Sequence, residues 1–222
     1  GQFQSQSGQT SCSDSDSGHY VDVVAASSQT PCPHGTYNPN TGSTNSSECI
    51  AADSGYHAPT EGSTDQVACP AGTYQNQTGQ SECTEVEPGH YTDSLGSIQQ
   101  SECLAGTYQP QAGQTSCADA QPGYYVSENG SNVQLSCPSG YYNPSTASSS
   151  FDACIPVDPG YFTDSEGRAS QSECSPGTYQ PNSGQSACLE SDPGYFVASF
   201  ASISQSPCPA GTYNPSKSSV SG

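Results

Sequence analysis

The chain has 222 residues, of which Ile, Leu, Val and Phe make up about a tenth, with no Met or Trp, and its 21 acidic residues face only Arg168 and Lys217, for a net charge of −19. Ordering it costs roughly 1.5 kcal/mol per residue, more than so few apolar side chains recover around one conventional core, and composition of this kind ordinarily marks disorder. The charge excludes nucleic acid and anionic membrane surfaces, which need clustered Lys and Arg, and no apolar run reaches the length of a membrane span.

The cysteines oppose a disordered reading. They stand at Cys12, Cys32, Cys49, Cys69, Cys83, Cys103, Cys117, Cys137, Cys154, Cys174, Cys188 and Cys208, with gaps of 20, 17, 20, 14, 20, 14, 20, 17, 20, 14 and 20. A constant 20 alternating with 14 or 17 sets a repeat of 34 or 37 residues, the signature of an array or solenoid. A partial first repeat occupies 1–31, full repeats follow at 32–68, 69–102, 103–136, 137–173 and 174–207, and a partial last repeat occupies 208–222.

From the N-terminus, Gly1–Cys12 (GQFQSQSGQTSC) matches Gly106–Cys117 (GTYQPQAGQTSC), so the chain begins inside a half-unit. Each repeat then carries two half-units of about 17 residues. First halves open and close with cysteine, as in Cys69-Pro-Ala-Gly-Thr-Tyr74 through Cys83; others begin at Cys32, Cys103, Cys137, Cys174 and Cys208. Second halves open on Pro-Gly-aromatic, as at Pro88-Gly89-His90, Pro122-Gly123-Tyr124 and Pro159-Gly160-Tyr161. Gly, Pro, Asn and Ser fill the intervals, as in tight turns, and helical periodicity is absent. The pattern predicts an all-β or irregular fold: an elongated, disulfide-stapled tandem array of short hairpins with little or no helix.

A glycine begins each half (Gly35, Gly55, Gly72, Gly89, Gly106, Gly123), and an aromatic follows within two residues. Stacked Tyr rings are expected to supply most of the scarce apolar burial. Gln lies three residues before ten of the twelve cysteines; Ser46 and Phe151 replace it in the 17-residue gaps. These amides either form ladders between stacked half-units or each close a local turn.

The Cys-Pro-x-Gly-Thr-Tyr hexapeptide, followed by Cys after 14 residues, resembles the cysteine-rich modules of tumour necrosis factor receptors. It is still more similar to the ephrin-receptor-type repeats of extracellular proteins, and the resemblance covers essentially the whole chain. In that family each half usually carries its own cysteine pair. Here the second-half positions hold Val86 and Gln100 instead, and the counterparts of Val86 are Ser15, Ala52, Ala120, Val157 and Ser191. Spacing alone also permits bonds across the gap of 20, beginning with Cys12–Cys32 and ending with Cys188–Cys208. The resemblance, with joint loss of both second-half cysteines, implies Cys32–Cys49, Cys69–Cys83, Cys103–Cys117, Cys137–Cys154 and Cys174–Cys188. Cys12 and Cys208 are then left over, and an intermolecular Cys208-to-Cys12 bond would link copies head to tail. The alternative is a window cut from a longer repeat protein.

No zinc-protease, dithiol-redox, nucleophile-elbow or phosphate-loop motif is present, so no enzyme is indicated. His19, His57 and His90 fill aromatic slots as variants of Tyr, and His34 stands apart. No cofactor is implied; calcium is the one metal suggested, by Asp14-Ser-Asp16, Asp93-Ser-Leu-Gly96 and Asp164-Ser-Glu-Gly167, though none completes a calcium loop and a solvated acidic face accounts for them. Sequons place candidate glycans at Asn45, Asn76 and Asn129, whereas Asn38, Asn143 and Asn214 precede Pro. Cysteine content, acidity and a Ser/Thr content near a quarter suit an oxidising, extracellular or cell-surface setting. The sequence thus reads as an extracellular structural glycoprotein that self-associates head to tail into a filament, surface appendage or matrix fibre. The alternative is a receptor or adhesin ectodomain that binds a protein ligand around Phe151, Ile155 and Val157, with Phe196 and Phe200.

Overall fold

The computed structural model describes residues 1–222, which form two units: Gly1–Glu102 with Gln111–Cys117, and Cys103–Pro110 with Ala118–Gly222. Each unit contains six two-stranded antiparallel hairpins. Typical pairs are Tyr56–His57 with Val67–Ala68 in the first unit and Tyr161–Phe162 with Ser172–Glu173 in the second. The expected all-β, disulfide-stapled hairpin fold is therefore present, with one hairpin in each half-unit before the one opened by Cys208. Its only helical segments are single 3-10 turns at Ser46–Glu48 and Phe151–Ala153. Both lie inside the two 17-residue disulfide loops, and the turns absorb the extra length there. Ser46 and Phe151, the two replacements for Gln, are their first residues.

Turn chemistry explains the opening of every half. In Glu87-Pro88-Gly89-His90 the His90 N–H donates to Glu87 O at 3.0 Å, and Gly89 has φ +85°. Proline at the second position and a positive-φ glycine at the third are the requirements of a type II turn. First halves repeat this geometry, and their Thr explains itself: the hydroxyls of Thr36, Thr73, Thr107 and Thr178 donate back to the first carbonyl of the turn at 2.7–2.8 Å.

Within each unit, successive hairpins dock through one backbone pattern. In the first unit, Gly55 N–H donates to Gln75 O at 2.7 Å, Ala58 N–H to Gln80 O at 3.0 Å, and Gly96 N–H to Cys69 O at 2.8 Å. In the second, Gly123 N–H donates to Asn143 O, Val126 N–H to Ser148 O and Gly167 N–H to Cys137 O, at 2.7–2.9 Å. Because the contact runs backbone to backbone, only small side chains fit beside it. Cys32, Cys69, Cys103, Cys137 and Cys174 are completely buried, and so are Ser15, Ala52, Val86, Ala120, Val157 and Ser191. A second buried set holds Val21, Ala58, Thr92, Val126, Thr163 and Val197.

This corrects the role expected of tyrosine. No Tyr is fully buried; most of the rings lie half-buried along the flanks, and Tyr56, Tyr195 and Tyr213 are exposed. Four larger polar residues that the sequence pattern did not single out are buried as well: Asn38, Gln75, Asn143 and Gln180. Gln75 and Gln180 donate to the carbonyls of Glu82 and Ala187 across their own loops. In the longer loops the shorter Asn143 reaches Ser148 Oγ and Tyr124 O, both at 2.9 Å. Each buried amide is thus hydrogen-bonded, which burial of a polar group requires.

The glutamines before the cysteines act locally. In all six second halves, one residue's N–H donates to the Gln side-chain oxygen across the hairpin: Asp16 to Gln29, Asp53 to Gln66, Glu87 to Gln100, Gln121 to Gln134, Asp158 to Gln171 and Asp192 to Gln205, at 2.7–2.9 Å. Where the residue is Asp, the Gln amide returns a bond to its carboxylate, at 2.8 Å for Gln171 and Asp158. Each disulfide-free half therefore has a side-chain clamp where its neighbour has a staple. Replacing Gln171 by Ala should destabilise its hairpin by about 1 kcal/mol, the net worth of an ordinary hydrogen bond. Faster hydrogen exchange of the Asp158 amide would register the loss; unchanged protection would contradict the clamp.

Candidate functional site

Ten cysteines are disulfide-bonded. Bonds join Cys32 to Cys49, Cys69 to Cys83, Cys137 to Cys154 and Cys174 to Cys188, with Cα–Cα distances of 5.6–5.8 Å, and Cys103 and Cys117 are bonded as well. Cys12 and Cys208 carry free thiols, exposed and half-exposed respectively. The three sequon asparagines are all exposed. Asn45 caps a 3-10 turn, accepting from Ser47 N–H at 2.9 Å, and Asn129 accepts from Ala105 N–H at 2.9 Å.

The acidic residues considered for calcium are engaged locally. Asp14 accepts from the Gln2 amide at 2.8 Å, Asp16 belongs to the Gln29 clamp, and Asp93 accepts from Ser94 Oγ. Asp164 binds Arg168 Nη2 at 2.7 Å. The hydrogen bond from Arg168, then that from Ser165, lowers the Asp164 pKa below its ordinary value. Lowered means the pair is intact above the usual carboxylate range and is lost only as pH falls through the depressed value. A carboxyl NMR titration should show Asp164 protonating below the ordinary aspartate value, and Arg168→Ala should raise it toward that value by removing the larger of the two hydrogen-bond contributions. Glu48 is depressed too, by the backbone and then the hydroxyl hydrogen bonds of Thr44.

The residues proposed for ligand contact separate. Val157 is fully buried in the column and cannot meet a partner, because its slot is equivalent to that of a core cysteine. Phe151, Ile155 and Phe200 are exposed, and Phe196 is half-buried. Phe151 packs edge-on to Tyr125 at 6.1 Å between ring centroids and lies tilted against Tyr141 at 5.7 Å.

The most differentiated chemistry lies in the first unit, in a groove of about 610 Å³ lined by His57, Pro59, Val67, Cys83 and Glu85. Strand pairing of Tyr56–His57 with Val67–Ala68 places His57 Nδ1 3.2 Å from Cys83 Sγ. The reactive atoms of His57, Cys69 and Cys83 lie within 4.8 Å of one another. Both sulfurs are engaged in their mutual bond, so the trio is a histidine facing a disulfide. Spacing had marked His57 only as a substitute for Tyr. The signal that distinguishes it is its slot, the second residue after Gly55, which holds Tyr20, Tyr91, Tyr125, Phe162 and Phe196 in the other second halves.

A comparison with curated proteins finds no match for the chain. Residues 55–103, which include this groove, match the family described as tyrosine-protein kinase ephrin type A/B receptor-like. That segment is ephrin-receptor-like, and together with the disulfide-stapled hairpins of the cysteine-rich chain it points to the extracellular space or cell surface.

Proposed function

We propose that this extracellular cysteine-rich module is a structural glycoprotein, and that its copies associate head to tail into a filament, surface appendage or matrix fibre. The observation that supports the structural reading is the repetition of one docking pattern. In each unit, glycine N–H groups and small buried residues receive the next hairpin in the same way. Arrays of this kind gain stability from nearest-neighbour interfaces and extend without a larger core. The reading assigns no catalytic group. The free thiols of Cys12 and Cys208 supply the chemistry for a covalent link between copies. Negative-stain electron microscopy of native material, with intact mass before and after reduction, tests the assembly. Filaments of regular subunit spacing are expected; monodisperse monomers binding a soluble partner would refute it.

Glycans at Asn45, Asn76 and Asn129 belong to the same proposal. Their exposure and the turns that present them suit enzymatic transfer. Treatment with an amidase specific for N-linked glycans should lower the mass, and Asn76→Gln should remove one glycan. An unchanged mass would exclude N-linked sugars.

A second reading, a receptor or adhesin ectodomain, is favoured by the cluster that exposed Phe151 forms with half-buried Tyr125 and Tyr141. Exposed aromatic anchors characterise binding hot spots. Under this reading, Phe151→Ser abolishes capture of a protein ligand while leaving the fold intact.

A further inference from the structure

We propose that Cys69–Cys83 is an exchangeable disulfide, primed by His57 for attack by small-molecule thiols, while its counterparts serve as inert staples. The chain contains its own control. Cys69–Cys83 and Cys174–Cys188 close loops of the same sequence separation, 14, with the same Cα–Cα distance to within 0.1 Å, 5.7 against 5.8 Å. In both, the first cysteine is fully buried and the second half-exposed. The strand residue before them differs: His57 precedes one bond and Phe162 the other. His57 Nδ1 lies 3.2 Å from Cys83 Sγ, and its groove opens onto the half-exposed sulfur.

Thiol–disulfide exchange requires a thiolate attacker and a leaving sulfur that can carry the bonding pair. A single imidazole beside the bond can serve both needs. The incoming thiol gives its proton to His57, and its sulfur attacks Cys83 Sγ, the accessible atom. The Sγ–Sγ bond breaks, and its electron pair leaves on Cys69 Sγ, which takes the proton from His57. A second thiol molecule then attacks the small-molecule sulfur of the mixed disulfide. Cys83 leaves as a thiol and the reagent departs as its own disulfide. Two thiol molecules are oxidised and one protein disulfide is reduced, with protons conserved. Proline and valine at the groove wall shield this centre, whereas the charged residues lining it are Glu82 and Glu85. A neutral or cationic thiol is therefore the favoured class of reductant, because an anionic one meets like charge. Opening the bond releases the staple of one half-unit in the first unit and leaves the second unit's staples in place.

The test blocks Cys12 and Cys208 by alkylation and then treats the intact chain with a neutral monothiol, 2-mercaptoethanol. Newly exposed cysteines are trapped with a second alkylating label and assigned by peptide mass spectrometry. Cys69–Cys83 should open at least about tenfold faster than Cys174–Cys188, below the ~10²-fold of a fully positioned acid–base group. His57→Phe should slow it to the rate of its counterpart. Phe162→His should accelerate Cys174–Cys188, a gain that general loosening of the first unit cannot produce. Equal rates in the parent chain, an unchanged rate in His57→Phe, or no acceleration in Phe162→His would each overturn the proposal.

Discussion

Gly123→Ala should destabilise the second unit by about 2–5 kcal/mol. Two effects combine. Gly123 has φ +90°, a conformation that costs an L-residue roughly 1–2 kcal/mol. A Cβ there would also overlap the Gly167 carbonyl of the hairpin that docks above it, and overpacking typically costs about 1–3 kcal/mol more. The carbonyl cannot withdraw freely, since Gly167 N–H is held by Cys137 O at 2.9 Å and Gly123 N–H by Asn143 O at 2.7 Å. Gly184 is the matched control. Its φ is +70°, but a Cβ would meet nothing closer than Pro156 Cβ at 3.7 Å. Equivalent turn positions already hold Ala147 and Ala201 at φ +52°. Gly184→Ala should therefore cost only the conformational part, about 1–2 kcal/mol. Urea unfolding with disulfides intact, together with hydrogen exchange at the Val126 amide, would compare them. Equal effects from both substitutions would show that conformation alone, and not hairpin contact, makes the opening glycine necessary.

The second large effect is a gain. Val86→Cys with Gln100→Cys should form a new disulfide and raise stability by a net of roughly 2 kcal/mol. The buried column justifies the design. Val86 and Cys69 are equally and completely buried. Val86 N–H donates to Gly72 O as Cys69 N–H donates to Gly55 O, and the carbonyls of both accept from a turn glycine, Gly113 or Gly96. A loop of about 15 residues is worth roughly 3 kcal/mol in the chain-entropy treatment. Loss of the Gln100 clamp on Glu87, made at 2.9 Å, removes about 1 kcal/mol of that. A disulfide detected by mass with a higher unfolding midpoint is the expected result. Two free thiols, or an unchanged midpoint, would show that Val86 and Cys69 are not interchangeable.

The same comparison explains why some features were legible and others were not. Type II turns depend on neighbours along the chain, so Pro88-Gly89 and Pro122-Gly123 announce their hairpins directly. The Gln clamps stand between local and hidden. Regular spacing marked Gln171, but only the folded hairpin shows it bonded to Asp158. Asn143 and Gln180 were missed because they differ in length to match two loop sizes, and so form no constant motif. Val157 was misplaced on the surface because an apolar residue beside exposed Phe151 and Ile155 gives no sign of which way it faces.

Scarcity of large apolar residues in 222 positions was determined by the sequence alone, as were the repeat spacing, the ephrin-receptor-like character and the absence of room for one conventional core. How the chain manages without that core was decided by tertiary structure. Backbone groups of successive hairpins meet directly over glycine, leaving a column just wide enough for cysteine, valine, alanine, threonine and serine. Tyr rings are excluded from it by size. Backbone carbonyls carry no side-chain signature, so this contact cannot be read from composition or period. The contrast between His57 and Phe162 depends on it as well, because one imidazole acquires a role only where the fold sets it against a sulfur.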